Sequence, residues 1–237
     1  MLFLHETHRV AGAEAEAFEE AFRDGWMPAL ALEDGARLLW FLTQAHGTGP
    51  SYTFITITAL SDWAAWERLS RRLTNDGDLA SWARLAEGLR HSADTKLLAP
   101  VAWSPLQELE LSAVPVDGER PQVLYMEDTV HPYRGRLAEY LAAAESLYFR
   151  GTIGRRLAEG TSLLDVRACF RTLVGAHADR EVVLWQSVQR PELLIPLLTR
   201  EIPAEHRGPG TWMHEALAYR DRWESRLLRT ATWSPLA

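Results

Sequence analysis

One stretch of the chain occurs twice, and the second copy stands at the end of the sequence. Residues 95–106 read TKLLAPVAWSPL, and residues 225–236, which lie 130 positions later, read SRLLRTATWSPL. A single match of this length can arise by chance, but an ordered series of further matches indicates duplication of a whole folding unit. The sequence upstream of the two copies therefore decides what kind of chain this is.

Further matches do extend through both halves in the same order. The offset between equivalent residues grows from 122 to 128 and then to 130, as small loop insertions in one copy would produce. The equivalent pairs are Leu2 and Leu124, Gly47 and Gly175, Trp82 and Trp212, Arg90 and Arg220, and Trp103 and Trp233. Two tandem halves are therefore predicted, residues 1–106 and 123–237, joined by a linker over 107–122 that carries two prolines and an Asp-Gly turn signal.

Each half shows the order strand, helix, strand, strand, helix, strand. Segments rich in β-branched and aromatic residues are typical of strands, and Phe18 with Phe22 marks one face of the first helix. Asp62 and Pro191 are signals for the start of the second helical region, which carries Trp82 or Trp212. The predicted strands are residues 2–8, 36–44, 52–60, 123–130, 164–173 and 181–188, followed in each half by a strand that runs into WSPL and stops at Pro105 or Pro235.

A βαββαβ unit is a ferredoxin-like half, in which helices cover one face of an antiparallel sheet. The second copy is the obvious cover for the other face, so the fold class is α+β, with two halves packed sheet to sheet. With this element order and the doubled LL…WSPL endings, nearly the whole chain resembles the dimeric α+β-barrel superfamily. That superfamily includes antibiotic-biosynthesis monooxygenases, NIPSNAP-like proteins, which are the most similar, and the haem-binding chlorite-dismutase group. Members normally pair two chains, whereas a tandem fusion could close the barrel within one chain.

Composition excludes several classes of function. The formal charge of −7 argues against nucleic acid or an anionic membrane surface as the main partner. Cys169 is the only cysteine, so no intrachain disulfide can form, and a cytoplasmic location is expected. No apolar run approaches the roughly 20 residues of a membrane span, and no signal peptide is apparent. A small-molecule partner is expected, and association into a homo-oligomer is left open.

The first strands of the two halves differ at one chemically important position. Alternation along a strand places Phe3, His5 and Thr7 on one face, and the equivalent face in the second half holds Tyr125, Glu127 and Thr129. The resemblance implies a ligand cavity between the sheets, into which this face would point. A buried histidine and carboxylate could act as base and orienter, or as acid and base. His5 and Glu127 are the principal catalytic candidates, although both could instead be solvated at a barrel mouth.

Further candidates lie on the second and third strands. Arg171, as a catalytic candidate, and Arg167, as a substrate-binding one, are predicted on the cavity face with Cys169, because an arginine there could stabilise an oxyanion. A β-bulge would reverse this assignment of faces. Residues expected to line an apolar pocket are Phe3, Tyr125, Trp40 and Trp185.

Other histidines carry weaker signals. In HETH, residues 5–8, His5 and His8 face opposite sides of a strand, so no metal site is predicted. His46 and His177 are expected in turns or at a rim. His214 is a conceivable axial haem ligand, but a surface or packing role is favoured.

Three functions remain open at this stage. The first is an enzyme without a cofactor, acting on an apolar, aromatic or polyketide-like metabolite of bacterial secondary metabolism by oxygenation, cyclisation or isomerisation, as the resemblance implies. The second is a non-catalytic binding or assembly protein, which a barrel filled by side chains such as Phe3, Trp40 and Trp185 would favour. The third is a haem-binding barrel of the chlorite-dismutase type.

Overall fold

Strands and helices alternate in the same order in the two halves of the chain. The structure, a computed structural model, describes residues 1–75, 77–175 and 180–237. The first half contains β1 (Leu2–Val10), α1 (Ala15–Glu20), α2 (Met27–Ala31), β2 (Ala36–Gln44), β3 (Thr53–Leu60), α3 (Trp63–Thr74), α4 (Asp78–Leu89) and β4 (Arg90–Pro100). The second contains β5 (Leu124–His131), α5 (Leu137–Ala143), α6 (Arg155–Ala158), β6 (Leu164–Val174), β7 (Val182–Val188), α7 (Leu194–Thr199), α8 (Trp212–Glu215) and β8 (Arg222–Thr230).

Irregular helical segments also follow the repeat. A π-helical stretch at Ala21–Trp26 joins α1 to α2, and one at Ala144–Gly154 joins α5 to α6. The predicted cap at Asp62 is confirmed, because its Oδ1 accepts a hydrogen bond from the backbone N–H of Ala65 at 2.7 Å.

The helix expected to carry Trp212 is shorter than predicted, since α8 ends at Glu215 and a 3-10 turn follows. His177 lies outside the described residues.

All eight strands form one closed antiparallel barrel in the order β1-β3-β2-β8-β5-β7-β6-β4. Within each half the order is β4-β1-β3-β2 or β8-β5-β7-β6, as a ferredoxin-like unit requires. Two seams join the halves, one between β2 and β8 and the other between β4 and β6. The predicted α+β architecture of two tandem halves is therefore confirmed, and the barrel closes within a single chain.

The helices cover the outside of this barrel. In the first half, Phe18 and Phe22 pack against Phe41 and Phe54 of the sheet, with ring centroids 5.3 Å apart for Phe18–Phe54 and for Phe22–Phe41. In the second half, Tyr140 and Ala144 pack on Val130, Cys169 and other sheet residues. Within the described part of the chain, no helix is both long enough and apolar enough to cross a membrane. The protein thus has apolar cores between the helices and the outer face of the barrel, and a separate core inside the barrel.

The repeated WSPL segments lie beyond the final strands, which corrects the prediction that those strands run into them. β4 ends at Pro100 and β8 at Thr230, and each is followed by a turn that crosses to the other half. Ser104 Oγ accepts a hydrogen bond from the backbone N–H of Cys169 at 2.9 Å, and Ser234 Oγ accepts one from that of Phe41 at 3.1 Å. The repeat is therefore a pair of reciprocal clasps across the two seams.

Loss of either clasp serine should destabilise the protein by a similar amount. Ser104→Ala and Ser234→Ala each leave a buried backbone N–H without its acceptor, which costs about 1–3 kcal/mol. Urea unfolding followed by circular dichroism measures the effect. Ser92→Ala, at an exposed position on β4, is the control and should change stability by less than about 0.5 kcal/mol. Equal stability of the control and the clasp variants would show that the clasps do not hold the seams.

Candidate active site

The middle layer of the barrel interior receives one side chain from each strand. Residues directly opposite each other in an antiparallel ladder lie on the same face of the sheet. The ladder links His5 to Ile57 and Lys96, and Ile57 to Trp40; in the second half it links Glu127 to Trp185 and Arg226, and Trp185 to Ala168. The layer therefore consists of His5, Trp40, Ile57, Lys96, Glu127, Ala168, Trp185 and Arg226.

His5, Glu127 and Arg226 form a hydrogen-bonded chain within this layer. His5 Nε2 lies 2.9 Å from Glu127 Oε2, and both side chains are almost completely buried. Arg226 Nη2 donates to Glu127 Oε1 at 2.8 Å, and Arg226 Nη1 donates to Thr7 Oγ1 at 3.3 Å. The structure thus brings together the two equivalent first-strand residues whose chemistry differs between the halves, and Arg226 holds the second oxygen of the carboxylate.

Glu127 is ionised over the whole physiological pH range. Burial opposes its ionisation, but Arg226, Lys96, the hydrogen bond from His5 and, when His5 is protonated, the charge of His5 outweigh burial and lower the pKa of Glu127 to about 2. An ionised carboxylate can only accept, so His5 Nε2 carries the proton of their hydrogen bond. In a neutral imidazole the lone pair is then on Nδ1, which has no hydrogen-bond partner among the described residues. A fixed tautomer with a free Nδ1 is the arrangement of a general base held by a carboxylate.

The two ends of the barrel differ. Beyond the middle layer on one side, Asp94 and Glu224 are exposed, and the side chain of Arg226 retains 23% of its accessible surface. On the other side, residues of the linker and the residue before it pack against the apolar interior cluster; these are Leu106, Leu109, Leu111 and Val114. The end of the barrel at which Arg226 lies is therefore the more exposed and more polar of the two.

Large aromatic side chains fill the interior next to the His5–Glu127 pair. The ring centroids of Trp40 and Trp185 are 5.6 Å apart, and those of Tyr125 and Trp185 are 5.2 Å apart. Phe3, predicted in the same lining, packs on Phe170 at 4.7 Å. Trp185 Nε1 finds no hydrogen-bond partner among the described residues. Tyr125 interacts with Trp40 and Arg167, but burial outweighs these interactions and raises the pKa of Tyr125.

Arg171 does not join this interior, contrary to the prediction, and the exposed Arg167 approaches it only at Tyr125. The β6–β7 ladder shifts register between Val166 and Ala168, so Arg167 forms a bulge and the faces beyond it are exchanged. Ala168 and Phe170 consequently point inward, and Arg171 is exposed on the outer face. Arg167 is also exposed and donates to Asp165 Oδ2 at 3.2 Å. An equivalent shift between Leu38 and Trp40 in β2 shows that the bulge belongs to the repeated unit.

His8 faces the helices, as the strand period predicts, and belongs to a different polar cluster. Arg90 Nη1 donates to His8 Nδ1 at 2.7 Å, His8 Nε2 donates to Thr56 Oγ1 at 3.0 Å, and Thr56 Oγ1 donates to Glu6 Oε2 at 3.4 Å. Burial, reinforced by the positive charges of Arg90 and His5, lowers the pKa of His8 well below its ordinary value. Thus His5 lies in the barrel interior, whereas His8 lies between the sheet and the helices.

The remaining candidates have structural surroundings. Cys169 is buried under the helices of the second half, and burial raises the pKa of its thiol far above the ordinary value, so it is not a ready nucleophile. His214, the conceivable haem ligand, is exposed on α8. The described residues contain no group of three or more His, Cys, Asp or Glu side chains arranged to hold a metal ion.

Sequence reasoning missed Arg226, although the repeat carried the signal. Lys96 and Arg226 are equivalent residues of the duplicated segment, 130 positions apart, and each is paired with the first strand of its own half. Lys96 instead forms an ion pair with Glu181. Pairing the last strand of each half with its first strand, in the same register in both halves, would have placed Lys96 beside His5 and Arg226 beside Glu127.

Comparison with known proteins supports the fold. No protein-family model matches the chain, and no curated protein matches it. Among solved structures, an anthrone oxidase-like protein superposes with a TM-score of 0.61 at 8% identity, covering 97% of this chain and 91% of the other. A candidate monooxygenase from Lactobacillus acidophilus NCFM superposes with a TM-score of 0.58 at 9% identity, covering 98% and 95%.

A shorter solved structure aligns with less than half of the chain. An uncharacterized NIPSNAP domain protein from Burkholderia xenovorans covers 44% of this chain and 97% of its own length, with 19% identity and a TM-score of 0.38. The two full-length superpositions show one architecture despite very low identity. The chain therefore has the dimeric α+β-barrel fold, with both ferredoxin-like halves in one polypeptide.

Proposed function

We propose that this protein is a monooxygenase-type enzyme that oxidises an apolar aromatic or polyketide-like substrate with dioxygen and without a bound cofactor. The observation that carries the proposal is the buried His5, whose Nε2 is held by an ionised Glu127 while its Nδ1 is unpartnered beside an aromatic interior. A base in an apolar site can form an enolate or phenolate, and such electron-rich anions can react with dioxygen directly.

In the proposed reaction, His5 Nδ1 removes a proton from an acidic carbon or hydroxyl of the substrate. Glu127 stabilises the imidazolium that forms, and Arg226 keeps Glu127 ionised and oriented. The substrate anion then passes electrons to dioxygen, and a carbon–oxygen bond forms. For anthrone the balance is anthrone plus dioxygen giving anthraquinone plus water, so no external reductant is needed.

The names of the structural neighbours suggest where to look for a substrate. An anthrone oxidase-like protein and a candidate monooxygenase share this fold across nearly the whole chain. A shared fold is an analogy and does not fix an activity. The name of the first neighbour makes anthrone, a tricyclic ketone that tautomerises to a phenol, the first compound to test.

The proposal is tested by measuring how fast the protein oxidises anthrone in air. Oxygen uptake and the absorbance of anthraquinone both report the rate, from which the rate in buffer alone is subtracted. His5→Ala should reduce the protein-dependent rate by about 100-fold or more, because the base is lost. Glu127→Gln should reduce it by about tenfold or more, because the imidazole loses its charged orienting partner. His91→Ala, at an exposed position on β4, is the matched control and should keep the full rate. A His5→Ala protein that oxidises anthrone as fast as the wild type would exclude this mechanism.

One observation favours a second candidate, a non-catalytic binding or assembly protein. The aromatic end of the barrel is filled by Phe3, Trp40, Tyr125 and Trp185, all of which are buried. If the wild-type protein accelerates the oxidation neither of anthrone nor of its hydroxylated analogues, the second candidate replaces the first.

A further inference from the structure

A groove on the outer surface is independent of the barrel interior. It has a volume of about 940 Å³ and lies where the end of β4, the loop before α5, α5 itself and β6 meet. Apolar side chains such as Val101, Leu137 and Leu141 line it. The groove also contains three exposed arginines, Arg134, Arg171 and Arg180. It therefore combines an apolar wall with a concentration of positive charge, on a chain whose formal charge is −7.

These three arginines differ from most exposed arginines of the protein. Most of the other exposed arginines have carboxylate partners, such as Glu67 for Arg71 and Glu224 for Arg222. Arg134, Arg171 and Arg180 form no ion pair in the described part of the chain, and none of the described residues that line the groove is acidic. Three like charges held close together repel one another, so an anion placed among them would be attracted by all three.

The duplication supplies a comparison within the same molecule. By the offsets of 122 and 128, the first-half equivalents of Arg134, Arg171 and Arg180 are Gly12, Thr43 and Tyr52. There the ring of Tyr52 lies directly over Gly12, so closely that a Cβ at Gly12 would come within 2.7 Å of the ring. The equivalent surface of the first half is thus covered by its own tyrosine, whereas in the second half all three positions carry arginine around an open groove.

We infer that this groove binds an organic acid with an apolar body, whose carboxylate is held by Arg134, Arg171 and Arg180. Guanidinium groups bind carboxylates through charge-assisted and often bidentate hydrogen bonds. The apolar wall formed by Val101, Leu137 and Leu141 accommodates the hydrocarbon part of the same molecule. The inference does not depend on the oxidation chemistry assigned to His5.

Calorimetric titration with decanoate, below its micelle concentration, tests the groove. Decan-1-ol has the same chain without the charge, and acetate has the charge without the chain, so both should bind at least about tenfold more weakly. Arg171→Ala and Arg134→Ala should each weaken decanoate binding by about 10- to 100-fold. Added salt should weaken it as well, because the arginines are exposed.

Arg200→Ala is the matched control, since it removes one exposed positive charge outside the groove and should leave decanoate affinity unchanged. Circular dichroism and melting temperature check that all variants are folded. The inference is overturned if the wild-type protein binds decan-1-ol as tightly as decanoate, or if Arg171→Glu binds decanoate as tightly as the wild type. Anthrone oxidation by the groove variants at the wild-type rate would show that the groove and the His5 site are separate.

Discussion

Replacing Arg226 with methionine is expected to destabilise the protein by about 3 kcal/mol, at the lower end of the range for breaking a buried ion pair. The substitution keeps much of the apolar stem but removes one of the positive charges that stabilise ionised Glu127. The lower end applies because the Arg226 side chain retains 23% of its accessible surface, whereas Glu127 retains 1%. Chemical denaturation at neutral pH measures the loss.

A second substitution distinguishes charge from packing. If the cost arises from an uncompensated carboxylate, then adding Glu127→Gln to Arg226→Met should recover most of the lost stability, because no buried charge is left unpaired. If Arg226 acts only through its packing, the double variant should be no more stable than Arg226→Met. Recovery would identify the Glu127–Arg226 pair as a coupled unit.

The same carboxylate should make stability depend on acid pH. The ordinary pKa of a glutamate is 4.5, and in the folded protein that of Glu127 is about 2. The ionised form therefore stabilises the fold fully above pH 4.5, and this contribution of about 3 kcal/mol disappears as the pH falls through 2. Glu127→Gln should lose less stability than the wild type between pH 5 and pH 2. Parallel curves for the two proteins would contradict the low pKa.

Replacing Trp185 with alanine is the second change with a large expected effect. The ring is fully buried and packs on Trp40 and Tyr125, so its removal should cost about 3–5 kcal/mol through lost contacts and the cavity left behind. Urea unfolding measures this cost. Trp63→Ala is the control, because Trp63 is 55% exposed on the first turn of α3.

The Trp185→Ala variant also tests whether the barrel interior can bind a flat aromatic molecule. If the barrel can admit a flat aromatic molecule, indole added to Trp185→Ala should raise its melting temperature and leave the wild type unchanged. A Trp185→Ala protein as stable as Trp63→Ala would show that the aromatic cluster does not support the barrel.

The element order was predictable because duplication supplies two independent copies of each signal. The predicted boundaries of β2 are those observed, β6 and β7 each differ by one residue at one end, and β5 is shifted by one residue at both ends. The final strands were predicted too long, because WSPL looks like a strand ending when it is an inter-half clasp. Only the three-dimensional pairing of Ser104 with Cys169 and of Ser234 with Phe41 reveals that role.

The candidate site was predictable only where strand alternation is unbroken. β1 and β5 have no bulge near His5 and Glu127, so a period of two placed both side chains correctly in the interior. One extra residue at Arg167 was enough to move Arg171 to the opposite face. Because a bulge depends on backbone pairing with β7, the side-chain pattern of β6 alone does not show it.

His5 and Glu127 are equivalent residues, and yet they touch. Two equivalent residues can meet only at the local symmetry axis that relates the halves. In an assembly of two identical chains, that position would confront histidine with histidine or glutamate with glutamate, and a lone acid–base pair could not exist there. Covalent fusion of the halves removes this restriction, because each copy can mutate without its twin. A proton donor and its acceptor can then face each other on the axis, which the exact symmetry of a homodimer would not allow.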